Sequence, residues 1–131
     1  MRYLFVVFAA LLAACGEEPL PTSTTQLAPE ALKAHSDLFR KGVEKVTDGV
    51  YVAIGYGLAN SIMLEGDDGI IIVDTMETEE EAREVLAAFR TLTDKPVKAI
   101  IYTHNHTDHV FGAAAFAEGN DIPVYAHEST S

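Results

Sequence analysis

The sequence of 131 residues predicts an α/β domain, and three observations carry that class. Ile70-Ile71-Ile72-Val73 is an apolar run without alternation, the mark of a strand covered on both faces. Thr78 opens an amphipathic segment with Glu81 three residues on, a capping box at the start of a helix. A second apolar segment, Val97 to Tyr102, follows. Strand, helix and strand within about 30 residues make a βαβ unit with a right-handed crossover.

The chain before this unit divides in three. Met1-Arg2 is a minimal basic region, Tyr3 to Leu11 is apolar, and Leu12-Ala13-Ala14-Cys15 follows. An apolar stretch this short, ending in small residues, reads as a signal peptide over residues 1–14 rather than a spanning helix. The Leu-Ala-Ala-Cys ending resembles a bacterial lipoprotein box. That implies cleavage before Cys15, lipidation of its sulfur and a place in the bacterial cell envelope, with Gly16 favouring the outer membrane. An uncleaved anchor helix and a plain signal with an incidental cysteine are the competing readings. Cys15 is the single cysteine, so lipidation leaves no thiol for a disulfide or a metal. Residues 15–29, rich in Pro, Ser and Thr, read as a flexible tether, and the domain occupies residues 30–131.

Pro29 suits the first turn of a helix over about Glu30 to Arg40, with Leu32, Leu38 and Phe39 as its apolar contacts. His35 on it is a solvated or packing histidine. Val43 to Val46 and Val50 to Ile54, joined at Asp48-Gly49, form a hairpin. Gly55 to Asn60 interrupts the strands, Ser61 to Glu65 resumes them, and Gly66-Asp67-Asp68-Gly69 turns into Ile70 to Asp74. In the helix after Thr78, Glu79 and Glu80 favour the positive end of the dipole. Ala82, Val85, Leu86, Phe89 and Leu92 form its apolar stripe.

The chemistry follows the second strand of the βαβ unit. Three of the five histidines, His104, His106 and His109, fall within six residues together with Asp108. On an extended backbone His104 and His106 point to the same side, and Asp108 and His109 follow in a loop. Four donors exceed what one tetrahedral zinc needs from so short a segment. They suit two metals about 3.5–4 Å apart, although the same donors also suit iron or manganese. A strand, a ligand loop and then a helix from Gly112 put the set at the carboxyl end of a strand, where ligands of α/β proteins gather. Asp74, ending a buried strand, serves in one reading only as the cap of its turn. His127, after the last strand, is a further candidate ligand.

His104-Asn105-His106-Thr107-Asp108-His109 resembles the His-x-His-x-Asp-His signature of the metallo-β-lactamase superfamily. The resemblance implies a four-layered αββα sandwich of two similar halves, of which this chain would be the first half. It implies that His104 and His106 bind one zinc, that Asp108 and His109 bind a second, and that Asp74 orients the loop from beneath without binding metal. It implies no ligand at His127. Gly57-Leu58-Ala59-Asn60, Glu65-Gly66-Asp67-Asp68-Gly69, Ile72-Val73-Asp74 and Ile101 to His109 most resemble the alkylsulfatase branch, which cleaves sulfate esters of alkyl chains with zinc. Where that branch has paired small residues after the signature, this chain has Val110-Phe111-Gly112.

A net charge of −11 disfavours nucleic acid, because a phosphate backbone requires clustered Lys and Arg. Neither a Gly-rich phosphate loop nor a Gly-x-Ser-x-Gly elbow occurs, so hydrolysis by metal-activated water is the expected reaction. Asp108 would orient the attacking water, and a small-molecule ester would be the substrate. The alternatives are a hydrolase of the same superfamily acting on a β-lactam, lactone or thioester, and a non-catalytic metal-binding lipoprotein.

Overall fold

One mixed sheet organises the computed structural model, which describes residues 29–130. The expected signal peptide, Cys15 and nearly all of the tether lie outside the described residues. β1 (Gly42–Thr47), β2 (Val50–Ile54), β3 (Ser61–Glu65) and β4 (Ile70–Val73) form an antiparallel meander. β5 (Val97–Ile101) and the short edge strand β6 (Val124–Tyr125) then add in parallel, giving the order β1-β2-β3-β4-β5-β6. The first hairpin turns at Gly49, whose φ of 73° is open to glycine at no steric cost.

The helix between β4 and β5, α2 (Glu79–Phe89), starts as expected. The Thr78 hydroxyl accepts from the Glu81 N–H, and the Glu81 carboxylate accepts from the Thr78 N–H. Ala82, Val85, Leu86 and Phe89 are buried against Met63, Ile70, Ile72 and Ile100 of the sheet and Phe116 of α4 (Ala113–Ala117). Leu92 is not in this stripe. The helix ends at Phe89, and Leu92 follows in a turn, exposed.

Two further expectations are corrected. The amino-terminal helix α1 spans Pro29–Asp37 and buries none of its residues; Leu32, Leu38 and Phe39 are exposed. A Lys33–Asp37 pair supports such a helix locally, but apolar spacing produces burial only where another element covers it. Nor is Ile70–Val73 covered on both faces. Its burial alternates, Ile70 and Ile72 packing under the helices while Ile71 and Val73 are half-exposed. Val52, Ile62, Leu64 and Ile101 share that second face through the pairings Val52↔Ile62, Ile62↔Val73, Leu64↔Ile71 and Val73↔Ile101. The apolar run is explained by a two-sided demand, of which the described residues satisfy one side. Among the described residues no helix is long and apolar enough to cross a membrane.

Candidate metal centre

Because β4 and β5 run parallel, both release the chain at the same end of the sheet. Asp74 leaves β4 there with φ 61°, and Met76 follows with φ 72°. Left-handed backbone is tolerated by Asp but strained for Met, so this segment is held in place by what surrounds it. The Asp74 N–H donates to the Ile101 carbonyl (2.9 Å), continuing the parallel pairing one residue past the strand.

Asp74 is 5% exposed, and its carboxylate accepts three hydrogen bonds from the segment after β5. Oδ1 takes the Thr103 N–H (2.9 Å); Oδ2 takes the Thr103 hydroxyl (2.7 Å) and His109 Nδ1 (2.7 Å). From below, Ser61 Oγ donates to the Asp74 carbonyl (2.7 Å). The next residue repeats the brace. Thr75 donates to the His109 carbonyl from its N–H (2.7 Å) and its hydroxyl (3.1 Å). The Met76 carbonyl then receives the Gly112 N–H (3.2 Å). Asp74, Thr75 and Met76 thus tie the donor loop down at both ends.

The donors do not sit as the spacing suggested. β5 ends at Ile101, so His104 and His106 lie beyond the strand, and His106 is the N-cap of a one-turn helix, α3 (Thr107–Val110). Asp108 and His109 lie on that helix rather than in a loop. The rings are nonetheless brought together: His104 and His106 have centroids 4.5 Å apart, and His104 and His109 4.0 Å apart. His109 Nε2 is 3.4 Å from Asp108 Oδ2.

Hydrogen bonding separates the two nitrogens of two of these rings. His109 Nδ1 is engaged by Asp74, leaving Nε2 directed towards Asp108. The Thr103 hydroxyl donates to Asp74 and lies 3.0 Å from His104 Nδ1. A proton on that Nδ1 makes Thr103 the acceptor and keeps Nε2 of His104 open as a ligand. Nitrogen donors with their distal nitrogens fixed, beside a carboxylate, match the chemistry of a zinc site. Among the described residues no group of three or more His, Cys, Asp or Glu side chains is placed to hold a metal ion. His127 stands apart. It follows β6 at the same end of the sheet but is exposed, with Nδ1 2.9 Å from Ser129 Oγ.

Thr103, Thr75 and Ser61 are the residues that sequence reasoning passed over. Each is a short hydroxyl next to a strand end, and only the Thr103–His104 adjacency hinted at a role. Tyr102 braces the other side of α3 by donating to the Val110 carbonyl (3.2 Å). Burial pushes its phenol above the ordinary value, against a bond with Thr75 that lowers it.

Residues 54–131 match the family described as Metallo-beta-lactamase superfamily. The chain belongs to the metallo-β-lactamase superfamily. Its relatives include a linear primary-alkylsulfatase of Pseudomonas sp., 46% identical over 72 residues, which are 51% of this chain and 14% of that protein. An alkyl/aryl-sulfatase of Saccharomyces cerevisiae is 39% identical over 82 residues, 62% of this chain and 13% of that protein. Among solved structures, a stereoselective inverting sec-alkylsulfatase from Pseudomonas sp. superposes with a TM-score of 0.59 at 31% identity, covering 64% of this chain and 14% of that one. A metallo-β-lactamase from Hirschia baltica gives 0.56 at 28% identity, over 69% and 45% of the two chains. This chain therefore spans a small part of the length of its sulfatase relatives.

Gly112 is the tightest point of the brace. A β-carbon there would overlap the Thr75 carbonyl oxygen and the Ala82 methyl group. Gly112→Ala should therefore lower stability by about 1–3 kcal/mol, read as a fall in the urea midpoint; an unchanged midpoint contradicts the packing described.

Proposed function

We propose that this chain carries the water-activating metal loop of a zinc-dependent hydrolase acting on sulfate esters of alkyl chains. The observation that carries the reading is the three-bond clasp of the Asp74 carboxylate on Thr103 and His109, which presents four donors at the carboxyl end of β5. His104 and His106 would hold one ion, Asp108 and His109 a second. A catalytic zinc takes about three protein ligands, so each ion then needs a further donor beyond these four. The relatives named as alkylsulfatases support the substrate class.

Bound zinc supplies a Lewis acid that lowers the pKa of water towards neutrality and offsets charge developing on the ester. The rest falls to the chain. Asp74 fixes the His109 ring, and through Thr103 it fixes His104. Asp108, held beside His109, accepts a hydrogen bond from the attacking water and orients its lone pair towards the ester. The similarity to a solved metallo-β-lactamase favours a second reading, in which the scissile bond belongs to a β-lactam, lactone or thioester.

Incubating the full-length protein with dodecyl sulfate should release inorganic sulfate, with two zinc ions per chain by elemental analysis. Chelation should abolish release and zinc should restore it. Turnover that survives complete zinc removal sinks the metal reading. Two bound ions with no sulfate release sink the substrate class, and turnover of a β-lactam instead moves the protein to the second reading.

Export and anchoring form a separate proposal, supported by Leu12-Ala13-Ala14-Cys15: the mature chain begins at a diacylated Cys15 and reaches its substrate from the envelope. Intact-mass measurement should find the mature chain starting at Cys15 with added acyl mass, and Cys15→Ser should remain unacylated. A chain that keeps Met1, or a cleaved one without acyl mass, contradicts this.

A further inference from the structure

Two large apolar side chains stand in solvent at the end of the sheet that carries the metal loop. Leu58 is 82% exposed and Phe111 63%. Leu58 belongs to the connection between β2, which ends at Ile54, and β3, which starts at Ser61. Ile62 pairs with Val73, so this connection emerges at the same end as Asp74. Phe111 caps α3, its N–H donating to the Thr107 carbonyl (3.2 Å). It follows Asp108 by three residues, a spacing that places both on one side of a helical turn.

Both residues adjoin glycines that rest on one segment. A β-carbon on Gly57 would overlap Met76 Cε and the Glu81 carboxylate, and one on Gly112 would overlap the Thr75 carbonyl and Ala82. Leu58 and Phe111 therefore flank the stretch from Thr75 to Ala82, beside the loop that holds His104, His106, Asp108 and His109. The metal donors are polar, and an ester of sulfate is polar at its reacting end and apolar along its chain. Apolar surface placed one helical turn from the reacting end suits the chain and not the headgroup.

We propose that Phe111, together with Leu58, grips the alkyl chain of the substrate and sets the preferred chain length; this rests on the alkylsulfatase reading above. Each methylene buried against the pair is worth about fourfold in kcat/KM. Among the described residues neither side chain is part of the core. Phe111 is thus a specificity residue and takes no part in bond cleavage.

The test is kcat/KM of the full-length zinc-loaded protein for linear alkyl sulfates from butyl to dodecyl, below their micellar concentrations. The wild type should rise with chain length. Phe111→Ala should lose about tenfold on dodecyl sulfate and less than twofold on butyl sulfate, mainly through KM. Phe111→Leu should restore most of the dependence, and Leu58→Ala should give a smaller loss of the same shape. Equal losses at every length would assign Phe111 a structural role and overturn the proposal, as would an unchanged slope in both alanine variants. If the wild type releases sulfate from none of the esters, the alkylsulfatase reading falls and this inference with it. If the wild type turns over normally and the slopes coincide, only the grip falls.

Discussion

A single buried carboxylate holds the segment after β5 in shape. Asp74 leaves its strand in left-handed backbone, and Met76 does the same two residues later. Such backbone is tolerated by Asp and costs about 1–3 kcal/mol for Met. Three hydrogen bonds to the carboxylate, at about 1.5–3 kcal/mol for bonds to a charged group, are enough to offset it. The strained turn is stable only with Thr103 and His109 in place, and those residues keep their positions only while the turn stays strained. The two sides enforce one geometry, in which Nδ1 of His109 faces Asp74 and Nε2 faces Asp108. Among the described residues no buried side-chain nitrogen or oxygen lacks a partner, so this polar cluster sits inside an otherwise apolar fold without an unpaired group.

That arrangement depends on the sheet. Parallel pairing of β4 with β5 brings Asp74 and the segment that carries His104 to His109 to one end. The capping box of α2 and its buried face fix the crossover that makes the pairing parallel. One face of the sheet is sealed by α2 and α4, with Phe89 and Phe116 fully buried. The other is a continuous apolar surface of half-exposed Val, Ile and Leu side chains. An αββα sandwich places a second sheet against such a face at about 10 Å.

Most of the fold was legible because its signals are local. Asp48-Gly49 specified a hairpin, Thr78 and Glu81 a helix start, and unbroken Ile and Val a strand, though not one covered on both faces. The errors of burial share one origin. Leu32, Leu38, Phe39 and Leu92 have helical spacing, but burial depends on what lies opposite, which spacing does not encode. In the site, side-chain type singled out His104, His106, Asp108 and His109, and the structure gathers the three histidine rings, with Asp108 beside His109. The one-turn helix under Asp108 and His109 was not, since four residues carry too little periodicity to register. The hydroxyls of Thr103, Thr75 and Ser61 escaped notice because their roles come from the meeting of two strand ends distant in sequence.

The tautomer of His109 tests the central claim most directly. Long-range proton–nitrogen correlation spectra of the metal-free protein distinguish a protonated Nδ1 from a protonated Nε2. A carboxylate clasp from Asp74 requires the proton on Nδ1, with the Nε2 resonance at the position of an unprotonated nitrogen, and requires this pattern to disappear in Asp74→Asn. A ring protonated on Nε2, or a pattern indifferent to Asp74→Asn, would contradict the account.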